Sequence, residues 1–407
     1  MTKLEKSCYF AEDRISVSGI SKKEYISTEN MLQNKAGICE AANLPSTEYT
    51  ASFQKNDVLV SNIRPYFKKI WYAKFSGGCS NDVLVFRAKG GFDSKFLYYV
   101  LSDDTFFNYV MSSAKGTKMP RGDKTAIMNY SVPDFDINIQ RKIAGILGAL
   151  DDKIEVLREQ NKTLEQMAQA VFQSWFVDCD IVRAKAAGLP AADICKKYHI
   201  TPDIYDLFPS AFSADNLPLG WEKIPFSETM NIISGGTPKT TEPTFWNGEI
   251  PWYSVVDAPA SVYVLDTEKH ITQQGLEKSP CSLLEKDTVI ISARGTVGKL
   301  AVVGKQMAMN QSCYGLKFDF PYYGYLMTKQ MLIGLKQNVH GAVFDTITKD
   351  TFKTVQTVNV SKNLKEAFTN IVSSFFKKIF ENSKQIHTLE QTRDTLLPQL
   401  ISGNIEV

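Results

Sequence analysis

Apolar positions recur between residues 143 and 175 at Ile143, Leu147, Leu150, Ile154, Leu157, Leu164, Ala168, Val171 and Trp175. With Asn161 filling the gap, they step alternately by four and three. That spacing is the a/d seam of a coiled coil and predicts one long helix with a narrow apolar stripe. A second stripe obeys the same rule through Val372, Phe375, Ile379, Asn382, Ile386, Leu389, Arg393, Leu396 and Leu400. Asn161 interrupts the first seam, and Asn382 and Arg393 the second. Polar seam residues cost stability but fix register and partner. A helix of about 40 residues is ~60 Å long. Each stripe must be covered, and the partner at hand is the other stripe, packed antiparallel.

Upstream of each stripe the period changes. Asp57–Ser61, Asp82–Phe86 and Thr288–Ser292 are short β-branched runs bounded by turn residues, which read as strands. Such runs, punctuated by Gly and Pro, fill residues 1–135 and again 221–360. The order is also repeated in detail. Thr163-Leu164-Glu165-Gln166 returns 225 residues later as Thr388-Leu389-Glu390-Gln391. The same shift carries Gly116 onto Gly341, Lys124 onto Lys349, Ile146 onto Ile371, Leu150 onto Phe375 and Ile154 onto Ile379. Lys55–Ser61 resembles Lys286–Ser292 at a shift of 231. A shared shift, drifting by a few residues as loop insertions require, marks a tandem duplication.

The expected fold is α+β. Two mixed α/β domains (1–135 and 221–360) are separated by two long antiparallel coiled-coil helices (136–180 and 361–407), with an internal pseudo-two-fold repeat. Each globule then sits at the N-terminal end of its own helix, giving a dumbbell. Residues 181–220, rich in Ala, Pro, Asp and Leu, read as an extended connector.

Composition narrows the function. A chain of 407 residues with 43% hydrophobic and 22% charged residues is a folded protein of two or three domains. No apolar run reaches the roughly 18 residues that span a bilayer, and the first residues carry no apolar signal-peptide core. Seven cysteines without a CxxC pair and four dispersed histidines (199, 270, 340, 387) fit reduced thiols in a cytoplasm and argue against a disulfide framework or a metal site. The net charge of +2 is low for a nucleic-acid binder. If DNA is the ligand, positive charge is local, or partner subunits supply phosphate contacts.

Catalytic motifs are missing from the sequence. The Asn/Asp-Pro-Pro-aromatic string of an amino-methyltransferase does not occur. Arg294–Leu300 has the wrong glycine spacing for a P-loop and ends in Leu. Neither a Gly-x-Ser-x-Gly elbow nor His-Glu-x-x-His is found. What the chain does offer is glycines beside basic and amide side chains, a pairing that lets backbone approach a phosphate. In the second copy these are Lys239 and Thr240 after a Gly-Gly turn, Arg294 and Lys299 around a Gly pair, and Asn310-Gln311. In the first copy they are Arg64, Lys68 and Lys69, then Lys118, Arg121 and Lys124 after Gly116. Arg and Lys suit guanine edges and phosphates, and Asn and Gln suit adenine. Trp71, Tyr72, Trp246, Trp252 and Tyr253 offer rings on which bases could stack, and a β-rich core is the competing and expected place for them.

Three stretches resemble a known family, the specificity subunits of type I restriction–modification systems. Val132-Pro133, then Gln140–Leu147 and Leu150–Ile154, is similar to that family's approach into its first long helix. Ser174–Asp178, Val182–Lys185, Leu207-Phe208-Pro209 and Gly220-Trp221 look like its central junction. Ser234–Lys239, Phe245–Gly248, Ile250-Pro251-Trp252 and Asp257 resemble the opening of a target-recognition domain. The first domain departs in lacking the Gly-Gly-Thr-Pro opening and is matched there only through Tyr25-Ile26-Ser27. The approach to the second helix, Val358–Leu364, lacks the Pro and Gln-Arg of the first.

The resemblance implies a non-catalytic, double-stranded-DNA-binding subunit in which each domain reads one part of a split site. It implies that the helices set the spacer and dock two methyltransferase subunits, and that restriction/translocase subunits join them. S-adenosylmethionine, ATP and magnesium would then be held by those partners, with no cofactor, metal or membrane contact in this chain. Two other readings remain open on the residues alone: an enzyme with an unrecognised active site, and a two-headed protein scaffold.

Overall fold

A computed structural model describes residues 1–338 and 346–407. It divides into two compact units, residues 1–154 with 389–407, and residues 155–388. Each unit holds one β-rich domain and a stretch of both long helices.

In the first unit, Val58–Ser61 is the pivot. It lies between Val83–Ala88 and Ile70–Tyr72 in an antiparallel sheet completed by Cys8–Phe10. Successive strand side chains point to opposite faces, so alternate residues enter different cores. Val58, Val60, Leu84 and Phe86 pack under the helices Ser94–Ser102 and Asp104–Ser112 with Phe96, Leu97 and Phe106. Leu59, Val83 and Val85 face a second core with Phe53 and Trp71. That core is closed by the sheet Arg14–Ser16, Tyr49–Phe53, Gly77–Cys79 and Tyr25–Ile26, whose last pair is parallel. Thr2–Lys3 pairs with Ser131–Val132 just before the first long helix.

The second unit repeats the plan. Asn231–Ser234, Cys313–Lys317, Val289–Ser292 and Leu300–Val303 stand in the same antiparallel order, with Tyr263–Val264 added parallel at the edge. Val289 and Ile291 enter one core and Ile290 another. The parallel pair recurs between Trp246–Tyr253 and Ala308–Met309, and the closing pair recurs between Glu222–Pro225 and Gln356–Asn359. Even the turns match. Asn56 (φ 74°) and Asp287 (φ 68°) hold the left-handed conformation before equivalent strands, one that Asn and Asp tolerate. Lys124 and Lys349 both open a short helix. Gly341, the expected counterpart of Gly116, and His340 lie outside the described residues.

The long helices span Ile137–Phe172 and Lys362–Ser402. Along the first seam, Ile143, Leu147, Ile154, Leu157, Asn161, Ala168 and Trp175 are buried, and Leu150, Leu164 and Val171 half-buried. In the first unit, Ile143 and Leu147 share a core with Leu397 and Leu400, and Arg393 Nη1 donates to Asp151 Oδ1 at 2.8 Å. In the second, Asn382 Nδ2 donates to Asn161 Oδ1 at 2.9 Å, and the Phe172 and Phe368 rings lie 5.8 Å apart. In both, the helices run antiparallel, as the seams predict.

The second seam differs at two positions, one of them near its end, where Leu397 is buried and the expected Leu396 half-buried. Phe376 is buried, whereas Phe375 is half-buried. Here the stripe advances by fours through Leu364, Phe368, Val372 and Phe376 because it also covers the neighbouring domain: Phe376 stacks flat on Tyr322, 4.5 Å away. Ile379 is buried, and Ile386, Leu389 and Leu396 are half-buried.

Residues 181–220, expected to be extended, instead form short helices at Asp180–Ala186, Ala191–Tyr198 and Pro202–Asp206. Ile181, Val182, Ile194, Ile200 and Phe208 bury in one core with Trp175 and Phe176. The Trp175 ring meets Phe208 edge-on at 5.0 Å, and Lys185 Nζ donates to the Tyr205 and Phe208 carbonyls at 2.9 and 2.6 Å. Packing thus explains the residues of the central junction. Among the described residues no helix is long and apolar enough to cross a membrane.

Candidate nucleic-acid interface

In the first domain the chain leaves Val58–Ser61 into a loop with two left-handed residues, Arg64 and Lys68, each at φ 50°. Backbone bonds pin this loop: Asn62 N–H donates to the Asp82 carbonyl at 2.8 Å, and Arg64 N–H to the Pro120 carbonyl at 2.9 Å. Lys115 and Arg121 exchange two backbone bonds of 2.9 and 3.0 Å, closing a hairpin that turns at Gly116 (φ 93°) and exposes Lys118 and Met119. Arg64 is exposed, and its guanidinium has no partner among the described residues. Arg121 pairs with Asp82 at 3.1 Å on the surface. Exposed pairs are worth only ~0–1 kcal/mol, so exchanging Asp82 for a phosphate costs little. Arg64, Lys118 and Arg121 are therefore brought together.

Lys68 and Lys69 are held otherwise. Lys68 Nζ lies 2.8 Å from Asp104, which also takes Lys35 at 2.9 Å. Partial burial works to raise the Asp104 pKa, but hydrogen bonds from the two ammoniums outweigh it and hold the carboxyl below its usual range. Lys69 Nζ donates to the Thr28 carbonyl at 2.6 Å, and burial lowers its pKa. Lys124 is exposed, with its ammonium 5.8 Å from the Phe10 ring centre. Exposed Tyr66 and Lys115, the latter 2.6 Å from Asp123, belong to the same surface and were not singled out by sequence. Pro65 after Arg64 and Gly116 after Lys115 were the available turn signals.

In the second domain the Gly-Gly turn is a packing requirement. A Cβ on Gly235 would overlap the Asn310 carbonyl, and one on Gly236 would come within 2.6 Å of Pro280. Gly236 N–H donates to the Met309 carbonyl at 2.9 Å, and the Thr237 hydroxyl donates to Gln311 Oε1. Lys239 and Thr240 follow, both exposed. Asn310 is half-buried, with Oδ1 accepting from Ser312 N–H at 3.0 Å, so its amide shapes the turn. Ala293 N–H donates to the Ser312 carbonyl at 2.7 Å, bringing the Arg294 loop alongside.

Buried Ser292 organises that loop. Its Oγ donates to the Thr296 carbonyl at 2.6 Å and accepts from Lys299 N–H at 2.8 Å. Gly295 and Gly298 supply the positive φ, 76° and 83°. The exposed arc presents Arg294 and Lys299. Arg294 bridges to Thr346 as Ile63 bridges to Arg121 in the first domain. Lys239, Thr240, Gln311, Arg294 and Lys299 thus lie on adjoining loops. Trp71, Trp252 and Tyr253 are buried, and Tyr72 and Trp246 half-buried, so these aromatics pack the cores. The first domain therefore offers cationic side chains and the second cationic and amide side chains on backbone-locked loops, the chemistry that phosphates and base edges accept.

The profile of the type I restriction modification DNA specificity domain matches residues 10–166 and 218–391. The chain is 28% identical to the type I restriction enzyme HindI specificity subunit of Haemophilus influenzae, over 94% of each chain. It is 24% identical to the MjaIX specificity subunit of Methanocaldococcus jannaschii, over 78% of this chain and 71% of that one. The crystal structure of a type I restriction–modification S subunit from M. genitalium shares the fold, with a TM-score of 0.51 at 16% identity over 98% of this chain and 95% of that one. With most of its length matched in two copies, the chain belongs to the type I restriction modification DNA specificity domain family.

Proposed function

We propose that this chain is the sequence-reading subunit of a type I restriction–modification complex. Its two β-rich domains each read one half of a split double-stranded site. The long helices set the unread gap and dock two methyltransferase subunits, and restriction/translocase subunits complete the assembly. Methylation and cleavage, with their S-adenosylmethionine, ATP and magnesium, belong to those partners. The observation that carries this reading is the duplicated loop. Arg64 and Arg294 follow equivalent strands, and each loop is tied by backbone pairing to the segment before an equivalent helix. Two open cationic loops on matched frames suit a ligand that repeats, as a duplex backbone does.

The test is selection of bound sequences from random duplex DNA by the chain assembled with its methyltransferase. Two short conserved blocks separated by a fixed unread gap are expected. A single contiguous site, or no enrichment from a folded complex, would overturn the reading.

A further inference from the structure

One carboxylate in the first unit joins three elements. Tyr99, on the helix Ser94–Ser102 of the first domain, donates through Oη to Asp151 Oδ2 at 2.7 Å. Arg393 of the second long helix donates to the other oxygen of Asp151 at 2.8 Å. Asp151 itself belongs to the first long helix. Tyr99 is only 2% exposed, and the Asp151 and Arg393 side chains 25% and 23%, so the cluster is half-buried. Burial, and next the neighbouring Asp151 charge, push the Tyr99 hydroxyl far above its usual range and keep it a donor.

The surroundings fix the same joint. Lys95 packs over Gly148, where a Cβ would collide with its ammonium end, and reaches Asp152 at 3.6 Å. Gln140, 2% exposed, accepts from Asp93 N–H and donates to the Phe135 carbonyl, each at 2.8 Å. The second unit has an analogous joint. Tyr325 Oη and Lys329 Nζ both donate to Glu165 Oε1 of the first long helix, at 2.7 and 2.6 Å.

Resting on the reading of a split site, we infer that Tyr99, Asp151 and Arg393 are positioning residues for spacer length, because they fix the angle at which the first domain stands on the helix pair. The cost argument is geometric. Adding one base pair to the gap moves a half-site by ~3.4 Å and turns it by about a tenth of a helical turn. To the apolar core and the Lys95 and Gln140 contacts of this joint, the cluster adds directional, charge-assisted bonds that resist that movement, since such bonds are the strong ones. A domain held by apolar packing alone slides more readily, because dispersion contacts have no preferred direction.

The experiment uses the full chain with its methyltransferase and a library in which both selected half-sites are kept and the gap is varied. Tyr99→Phe keeps the ring and removes the hydroxyl, and Arg393→Lys provides a second variant should the first fail to fold. Relative to the parent, binding at gaps one base pair longer or shorter should rise against the preferred gap by roughly three- to tenfold, the equivalent of one hydrogen bond. Preferred bases within each half-site should stay as they were. A folded variant with the parental gap profile would overturn the inference, as would a change in base preference without change in gap tolerance. Failure of the split-site reading itself would show separately, because the parent would then have no preferred gap.

Discussion

Replacing the buried amide pair of the helix seam separates what it costs from what it specifies. Asn161 and Asn382 are 0% and 1% exposed and share one 2.9 Å hydrogen bond, while Asn161 Nδ2 has no partner. Asn382→Leu alone leaves both polar atoms of Asn161 unpaired in an apolar seam. Stranding a buried polar group costs about 1–3 kcal/mol, only partly offset by the new leucine. Changing both residues to Leu removes the stranded amides and adds apolar burial worth ~1.5–3 kcal/mol per side chain. Gln160, the second acceptor of Asn382, is exposed and turns to water. The double variant should therefore unfold at higher urea than the parent while Asn382→Leu unfolds at lower urea. The double-mutant cycle should show coupling of about 1–3 kcal/mol.

The gain in stability comes with a loss of specification. A seam without its buried amide pair tolerates shifted and intermolecular pairings that the pair excludes. Unfolding is followed by circular dichroism at 222 nm, and self-association by light scattering over a range of concentrations. The double variant should associate more than the parent. The reasoning fails if Asn382→Leu is as stable as the parent, or if the double variant is the least stable of the four chains.

Arg294→Ala should weaken DNA binding by the assembled complex. A lost guanine contact reduces discrimination at one base pair by about 1–3 kcal/mol, a lost phosphate contact lowers the salt slope by about one, and unchanged binding by a folded variant removes Arg294 from the interface. Seven residues inserted into each long helix, between Leu157 and Asn161 and between Asn382 and Ile386, keep the seam in phase and add ~10 Å. The selected gap should then grow by about one to three base pairs, and a parental gap would show that another element measures distance. Asp287 is held above its usual pKa by burial, with one oxygen unpartnered. The native state thus binds more protons than the unfolded one between the ordinary carboxylate value and that raised value, so this carboxyl makes stability fall as pH rises through that window. Asp287→Asn, which keeps a residue suited to φ 68°, should raise the neutral-pH melting temperature and shrink the gain as pH falls; an equal gain at all pH values would refute the cause.

The seams were legible because a strict heptad leaves little freedom. Position 161 had to be buried whatever its polarity, and it is. The misplacement at Phe375 has a definite source: over Leu364–Phe376 the helix covers a domain as well as its partner helix, and a wider face follows steps of four. The connector was misread because helices of five to eight residues contain too few turns for a period to register. Within the candidate interface, glycines and basic residue types were visible, but their availability was not. Lys68 and Lys69 are held by groups 36 and 41 residues away, Asp104 and Thr28, and no local pattern announces such partners.

The departures between the copies show which parts of a duplicated frame are free to diverge. The inner strands keep three consecutive buried apolar residues, Val58-Leu59-Val60 and Val289-Ile290-Ile291, because each strand feeds two cores at once. A polar residue at any of the three leaves an unpaired group in one core or the other. Helix approaches are less constrained, since several side chains satisfy the same need. Gln140 bridges Asp93 and Phe135 at the start of the first long helix, whereas Ser361 accepts from Leu364 N–H and Lys365 reaches Asn359 at the start of the second. The loops are least constrained of all. The second domain anchors its opening through Gly235 against Asn310, the first packs Gly77 against Glu24, and both present an arginine after equivalent strands. Core packing therefore holds two frames alike while the loops vary independently. A single chain can in this way come to recognise two unrelated half-sites.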